Sequence, residues 1–242
     1  MATNNKQRVN NCANKTDITI NTYDNIVSEY IDYFNSKGLN GGVQFQKEID
    51  YITANLPDKA RILDAGTAIG DYPKYLTEKI QKNYAVTGID ASKNMIEVAK
   101  KNAPRAYFEV MDMRDMSFPR NSFDAILCFA TLIHVNDNDC RKILDRFDDM
   151  LSSGGLIAIN VIEQLDDTKE IFIPEPFNTR YQTYFNRYKK AFFTNYLNTK
   201  GYQITGFFDN KTFNSKAIGG GEQLSESNQF SIIAKKPHNT ER

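Results

Sequence analysis

The sequence predicts an α/β fold in which a mostly parallel sheet of seven strands, with an antiparallel last strand, carries helices on both faces. From residue 60 onward, strand-like runs alternate with helical stretches, as in right-handed βαβ units. Two of the runs, AILCF and LIAINVI, are almost entirely apolar, which is typical of parallel strands that are buried on both faces. A polar, Gly-rich loop joins the last two strands, which favours an antiparallel pair.

The elements follow in order along the chain. Strands are predicted at 60–64, 85–90, 107–111, 124–129, 156–162, about 202–208 and 229–235, and helices at 71–82, 92–102 and 138–151. Ser92 is the predicted N-cap of the second of these helices, and Gly154 and Gly155 are predicted to end the third. One more helix carries aromatic residues and ends at Gly201.

The whole chain is predicted to form one domain, 21–242, behind a disordered tail, 1–20, whose beginning is polar and Asn-rich. Two helices within 22–56 form an N-terminal cap, with Ile26 and Tyr30 at helical spacing in the first and a KGLNGG break between them. An aromatic-rich insertion at about 163–186 interrupts the alternation and is predicted to cover a substrate.

Bulk composition excludes several function classes. The 242 residues carry 30 acidic and 30 basic side chains, so no global basic field attracts nucleic acid. Cys12, Cys128 and Cys140 have no metal-ligand spacing and predict free thiols in a reducing compartment. The sequence lacks a membrane-length apolar run and a signal-peptide core, which predicts a cytoplasmic protein.

The turn in LDAGTAIGDYPKYL joins a strand to a helix, and its glycines, Gly66 and Gly70, let a backbone approach a ligand closely. Asp90 ends the next strand, where a carboxylate can accept hydrogen bonds from ribose hydroxyls. A dinucleotide fingerprint, however, needs glycine at 66, 68 and 71, where this chain has Ala68 and Asp71. Asp71 would also repel a diphosphate at the helix N-terminus.

Several segments resemble the ordered motifs of class I S-adenosylmethionine-dependent methyltransferases, from about residue 22 to residue 235. The matching segments are YDNIVSEYID, ILDAGTAIG, TGIDAS, VMDMRDMSF, FDAILCFATLIHV and MLSSGGLIAINV. The resemblance implies a Rossmann-like fold, S-adenosylmethionine as cofactor and S-adenosylhomocysteine as product. Ala68 replaces the usual middle glycine, which is compatible with the turn if its φ is negative, and it puts the affinity for the cofactor in question.

The resemblance also implies a cofactor site. Its predicted residues are Tyr30, Asp64, Gly66, Thr67, Gly70, Asp90, Ala91, Met95, Asp112, Met113 and Phe129. Asp112 is placed at the adenine amino group and Met113 against the adenine ring. Asp64 is expected to order the loop rather than touch the cofactor, and Met95 fits a simple core position equally well.

His134 and Tyr23 are the predicted catalytic residues. A methyl group on a sulfonium is already activated, so catalysis comes largely from holding the acceptor aligned, which contributes up to about 7–11 kcal/mol. A base is needed only if the acceptor holds its proton, and the ordinary pKa of histidine suits that task. The alternative, purely structural roles are that His134 anchors a loop and that Tyr23 packs a helix.

Arg180, Tyr181 and Tyr184 are predicted to contact the substrate. Their segment, RYQTYFNRYKK, interleaves basic and aromatic residues, which suits a cap over a small acidic or aromatic molecule, a surface that stacks bases, or an amphipathic packing helix.

The predicted function is methyl transfer to an O or N atom of a small-molecule acceptor, without a metal, by a monomer or homodimer. The alternatives are a protein, peptide or RNA methyltransferase, a nicotinamide-dependent oxidoreductase, an aminopropyl transferase, and a cofactor-binding protein without turnover.

Overall fold

A computed structural model describes residues 14–36, 44–175, 178–211 and 228–238. The nine strands in this part of the chain are β1 (Arg61–Ala65), β2 (Ala85–Asp90), β3 (Tyr107–Val110), β4 (Phe123–Phe129), β5 (Leu151–Ile162), β6 (Glu170–Pro174), β7 (Gln182–Asn186), β8 (Gln203–Lys211) and β9 (Asn228–Lys235). The α-helices are α1 (Lys15–Asn25), α2 (Val27–Ser36), α3 (Gln46–Asn55), α4 (Asp71–Glu78), α5 (Lys93–Asn102), α6 (Asp137–Met150) and α7 (Lys190–Thr199).

Seven strands form one sheet in the order β3-β2-β1-β4-β5-β9-β8. The pairs among β1 to β5 are parallel, and β9 runs antiparallel to both of its neighbours. This confirms the predicted fold class, including the antiparallel last strand. The order reverses between β1 and β4, and in open α/β sheets ligands bind at the carboxyl ends of the strands at such a point.

Helices cover both faces of the sheet because its strands are apolar on both sides. One core cluster contains Ile143 and Phe147 of α6 and Phe193 of α7, and a second contains Ile49 of α3 and Leu76 of α4. The predicted N-cap is confirmed, since the Ser92 hydroxyl accepts a hydrogen bond from the amide of Met95 at 3.1 Å.

The end of α6 differs from the prediction. The helix stops at Met150, and Gly154 and Gly155 lie inside β5, so these glycines do not end the helix. Leu151 pairs with Phe123 before the register shifts, and a Cβ on Gly155 would lie 2.8 Å from the Leu151 side chain. Strand pairing across the chain, which local turn propensity does not show, decides this boundary.

The N-terminal segment is more ordered than its composition predicted. Residues 15–20 belong to α1, so the predicted tail, 1–20, is wrong for these residues, while 1–13 and the glycine break of the cap lie outside the described residues. α1 contains few apolar residues. Its buried inner face consists of threonines, whose hydroxyl groups form hydrogen bonds. Thr16 donates to the His134 carbonyl at 2.9 Å and Thr22 to the Gln182 carbonyl at 2.8 Å.

The insertion at 163–186 contains an antiparallel hairpin, β6–β7, that the sequence did not predict as strands. Part of RYQTYFNRYKK is therefore strand β7 rather than an amphipathic helix. The Gly-rich loop before β9 lies outside the described residues. In the described ranges, the helices are too short or too polar to cross a membrane.

Candidate active site

A cavity of about 290 Å³ lies at the carboxyl ends of β1, β2 and β4. Its floor is the turn after β1, and α1 covers it from outside with Thr16, Thr19, Ile20 and Tyr23. These four residues lie on one face of the helix because their spacing is that of successive helical turns. The cavity therefore lies at the point where the strand order reverses, under a helical cap.

The turn after β1 is held by its backbone. The amides of Gly66 and Thr67 both donate to the Ile89 carbonyl, at 2.8 and 2.9 Å. Gly66 has φ +82°, and a Cβ there would lie 2.2 Å from the side chain of Thr131, so this position requires glycine. Thr67 donates to the buried Asp64 carboxylate at 2.6 Å.

Ala68 has φ +46°, so the negative φ that the sequence analysis required for it is wrong. Its amide donates to Oδ2 of Asp90 at 2.9 Å, and the amide of Ser92 donates to Oδ1 at 2.9 Å. Asp90 thus joins the two loops that form the cavity floor. Burial raises the pKa of Asp90, and the two backbone hydrogen bonds oppose this shift.

Asp112 lies beside the cavity at the end of β3, next to an arginine. Arg114 donates to Oδ2 of Asp112 at 2.9 Å from Nε and 2.6 Å from Nη2, and Nε also donates to Oδ1 at 3.1 Å. The same guanidinium reaches Asp17 of α1 at 2.5 Å. Arg114 therefore links this edge of the cavity to the cap.

Apolar side chains line the cavity between the two aspartates and opposite them. Met95 and Met113 are buried beside Asp90 and Asp112, and Phe129 packs between Phe45 and Tyr72, with ring centroids 5.2 Å from each. Flat apolar walls beside carboxylates suit a ligand with an aromatic ring and hydroxyl groups.

Tyr23 and His134 contact each other on the cavity wall. Their rings meet edge to face with centroids 5.3 Å apart. His134 Nδ1 lies 2.9 Å from the Tyr184 carbonyl, and because a carbonyl only accepts, Nδ1 carries the hydrogen and Nε2 keeps a lone pair. Burial lowers the pKa of His134 to about 4, so the imidazole is neutral at neutral pH.

Glu175, which the sequence analysis did not select, lies behind Tyr23. It is 2% exposed, accepts a hydrogen bond from Thr183 at 2.9 Å, and lies close enough to Tyr23 for its charge to act on the Tyr23 hydroxyl. Burial raises the pKa of Glu175, and burial together with the Glu175 charge raises that of Tyr23. A single acidic residue between prolines in IPEPF gave no periodic signal by which it could have been found.

Comparison with known proteins identifies the fold and the domain. Residues 62–155 match a protein-family model described as a methyltransferase domain. A SAM-dependent methyltransferase from Methanosarcina mazei superposes with a TM-score of 0.65 at 20% identity, covering 78% of this chain and 98% of that one. Residues 62–155 therefore match a methyltransferase domain, and the chain has the fold of S-adenosylmethionine-dependent methyltransferases. The predicted resemblance to class I methyltransferases and the predicted fold are confirmed, and the comparisons support S-adenosylmethionine as the cofactor.

Curated relatives share this methyltransferase domain over part of their length. Phosphoethanolamine N-methyltransferase 1 of Arabidopsis thaliana is 34% identical over 124 residues, which cover 50% of this chain and 24% of the relative. Demethylmenaquinone methyltransferase of Thermotoga maritima is 30% identical over 106 residues, or 42% of this chain and 45% of that enzyme. The chain thus spans less than half the length of these two relatives.

A further solved structure shows that this fold does not fix the reaction. The [4+2]-cyclase SpnF superposes with a TM-score of 0.62 at 15% identity, covering 93% of this chain and 98% of that one. The reaction of the methyltransferase domain must therefore be argued from its site.

Most of the residues predicted for the site line the cavity of the methyltransferase domain. These are Tyr23, Tyr30, Gly66, Thr67, Asp90, Ala91, Met95, Asp112, Met113, Phe129 and His134. They come from the cap and from the ends of several strands, and the sheet brings them together.

Five of the predicted site residues are not among the described residues that line the cavity. Gly70 packs against α5, where a Cβ would lie 3.0 Å from Ala99, and Asp64 orders the turn as expected. Arg180 is exposed and hydrogen-bonds Asn178, and Tyr181 lies beside it before β7. Tyr184 contributes its carbonyl to His134 while its ring packs on Phe172.

Proposed function

We propose that this protein is a methyltransferase that moves the methyl group of S-adenosylmethionine to a nitrogen atom of a small acceptor. The observation that carries the proposal is the Tyr23–His134 pair, which faces the same cavity as Asp90 and Asp112. One end of the cavity offers carboxylates to a nucleoside, and the other offers neutral hydrogen-bonding groups to an acceptor.

The residues of the cavity suit the cofactor. Each oxygen of Asp90 accepts one backbone hydrogen bond and keeps a further lone pair, so ribose hydroxyls can donate to it. Met95 and Met113 offer apolar surface to the adenine ring, and Asp112 can accept from its amino group. When bound, S-adenosylmethionine supplies an electrophilic methyl group on a positively charged sulfur.

The acceptor end favours nitrogen over oxygen. His134 has a pKa of about 4, which makes it a weak base, and a hydroxyl acceptor requires a stronger one. An amine needs only to lose its proton and to have its lone pair aimed at the methyl group. Nε2 of His134 and the oxygen of Tyr23 can accept hydrogen bonds from the remaining N–H groups and hold the nitrogen in place.

The name of one relative agrees with a nitrogen acceptor. The plant enzyme that matches 50% of this chain is a phosphoethanolamine N-methyltransferase, which is named for a small primary amine. We therefore place small amines first among the acceptor classes.

The cap bears on the alternatives. α1 lies directly over the cavity, which leaves a protein or RNA substrate less room than a small molecule. Asp71 also faces the cavity at the N-terminus of α4, where it disfavours the diphosphate of a nicotinamide cofactor. Both features support a small acceptor and a cofactor without phosphates.

Calorimetric titration with S-adenosylmethionine, S-adenosylhomocysteine and NAD tests the cofactor. We expect micromolar binding of the first two. Asp90→Ala should weaken it by about 100-fold or more, since two hydrogen bonds to a charged group contribute about 1.5–3 kcal/mol each, or about 3–6 kcal/mol together. Asp115→Ala, an exposed aspartate on the loop that follows Asp112, is the matched control and should bind normally.

The acceptor is tested by following S-adenosylhomocysteine formation with ethanolamine, phosphoethanolamine and catechol. Transfer to an amine supports the proposal. Transfer to catechol alone would replace the nitrogen acceptor by an oxygen one, and binding of NAD without the sulfur nucleosides would exclude a methyltransferase.

A further inference from the structure

Glu175 is a buried carboxylate next to the acceptor end of the cavity. It follows β6 directly, its amide donates to the Tyr181 carbonyl at 2.9 Å, and its side chain is 2% exposed. Thr183 of β7 donates a hydrogen bond to its carboxylate at 2.9 Å, and Tyr23 of α1 lies near enough to feel its charge. The residue therefore joins the hairpin to the catalytic face of the cap.

Among the ion pairs of the described residues, none involves Glu175. A carboxylate taken out of water without a cation loses several kcal/mol of solvation, which its hydrogen bonds return only in part. A site that keeps such a group is destabilised unless the charge is neutralised by a bound cation or a proton.

We propose that Glu175 is a positioning residue that orients the Tyr23 hydroxyl and takes up, through Tyr23, the proton that an amine acceptor must lose. The inference rests on the proposed function and deepens it, because it assigns the route by which the acceptor nitrogen is prepared for attack.

The proton transfer balances as follows. An N–H bond of the ammonium form breaks, its electron pair stays on nitrogen, and the proton moves to the Tyr23 oxygen. At the same time the phenolic O–H bond of Tyr23 breaks, and that proton moves to a Glu175 carboxylate oxygen. The result is a neutral amine, an unchanged tyrosine and a protonated Glu175, which returns its proton to solvent after the product leaves.

Burial favours this transfer. It converts an ammonium and a carboxylate into two neutral groups, and a low-dielectric site stabilises neutral groups relative to charged ones. The raised pKa of Glu175 makes it a better proton acceptor than an exposed glutamate.

The groups that face Glu175 are Tyr23 of α1, Tyr30 and Tyr33 of α2, and Thr183 of β7. The pKa values of all three tyrosines lie above their usual range, chiefly because of burial. These phenols therefore stay neutral below about pH 8, but His134, whose pKa is lowered to about 4, also contacts Tyr23, so only the part of a pH effect on Tyr23 that Glu175→Gln removes reports Glu175.

Two measurements test the proposal, with Glu175→Gln as the main variant because an amide oxygen still accepts a hydrogen bond but takes up no proton. The first needs no acceptor: the ¹³Cζ resonance of Tyr23, assigned from its loss in Tyr23→Phe, is followed from about pH 4 to about pH 8. We expect a titration step in the wild type that is absent from Glu175→Gln, whereas a step near pH 4 from the neighbouring His134 should be common to both. Identical titration curves in the wild type and the variant would overturn the coupling.

The second measurement is the pH profile of kcat with phosphoethanolamine as the probe. We expect kcat of Glu175→Gln to fall on the order of 100-fold, to lose the acidic limb of the wild-type profile, and to recover in part in Glu175→Asp. Glu170→Gln, which removes an exposed carboxylate from the start of the same hairpin, should keep wild-type kcat.

Other outcomes separate the two proposals. An unchanged kcat profile in Glu175→Gln, or an equal loss in Glu170→Gln, would reduce Glu175 to a structural role. A wild type that shows the resonance step but methylates no amine would instead refute the proposed function, and with it the role of Glu175 in proton transfer.

Discussion

Ala68 shows how one residue connects backbone strain to the cavity floor. Its φ of +46° lies in the left-handed region, which glycine adopts freely and alanine adopts at a cost of about 1–2 kcal/mol. The hydrogen bond from its amide to Asp90 holds it there. The carboxylate that is suited to ribose is thus also the group that keeps a strained residue in place.

Ala68→Gly is expected to stabilise the protein by about 0.5–1 kcal/mol, because relief of strain exceeds the entropy that glycine adds to the unfolded chain. Chemical denaturation measures the change. Ala106→Gly is the matched control at a residue without positive φ, and it should destabilise by a similar amount. A loss of stability in Ala68→Gly would show that the methyl group contributes packing that outweighs the strain. Calorimetry with S-adenosylhomocysteine on the same variant measures whether the methyl group hinders binding.

At the scale of elements, α1 covers the site although its inner face is largely polar. Threonine hydrogen bonds attach it to the loop after β4 and to β7, and Asp24 attaches it to α5. The Asp24 carboxylate accepts from the Ser92 hydroxyl at 2.7 Å and from the Asn94 amide at 3.0 Å, at the N-terminus of α5, where negative charge is favourable. Such a cap can detach without exposing a large apolar surface.

Asp24→Ala is therefore expected to loosen the cap while the sheet stays intact. Loss of these contacts should cost about 1–2 kcal/mol locally, which corresponds to about a tenfold rise in the rate of amide exchange in α1. Hydrogen–deuterium exchange measures it, with Asp32→Ala on the exposed face of α2 as the control. Equal exchange in the two variants would mean that the threonines alone hold the cap.

At the scale of the whole molecule, two buried titratable groups change the stability of the fold in opposite directions as the pH falls. His134 has a pKa lowered to about 4 by burial, so it must be neutral in the fold, and its contribution to stability is lost as the pH falls from about 6.5 through about 4. Asp64 has a pKa raised to about 7, chiefly by burial. Its contribution has the opposite sign: it is fully present below about pH 4 and is lost as the pH rises through about 7.

The difference in unfolding free energy between wild type and single variants should separate these effects. Relative to His134→Asn, the unfolding free energy of the wild type should fall by up to about 3 kcal/mol as the pH is lowered from about 6.5 to about 4. Relative to Asp64→Asn, the unfolding free energy of the wild type should fall as the pH is raised from about 4 to about 7. Urea denaturation across this range measures both slopes. A flat difference for either variant would contradict the corresponding burial.

The sequence by itself determined the sheet, its parallel core and most of the cavity floor. Buried parallel strands leave a local signal because each is apolar on both faces, and the turn around Gly66 leaves one because its backbone tolerates only certain residues. Asp90 follows from its place at the end of a strand, whereas Asp112 was predicted from the segment that resembles a motif of class I methyltransferases.

Only the tertiary structure decided the start of the cap at residue 15, the hairpin and the surroundings of Tyr23 and His134. The threonines of α1 are buried by partners more than a hundred residues away, so their polar composition predicted disorder instead. The protonation of His134, the sign of φ at Ala68 and the place of Glu175 behind Tyr23 likewise depend on burial and on contacts between distant elements. A pKa and a backbone strain are set by surroundings that no local pattern encodes.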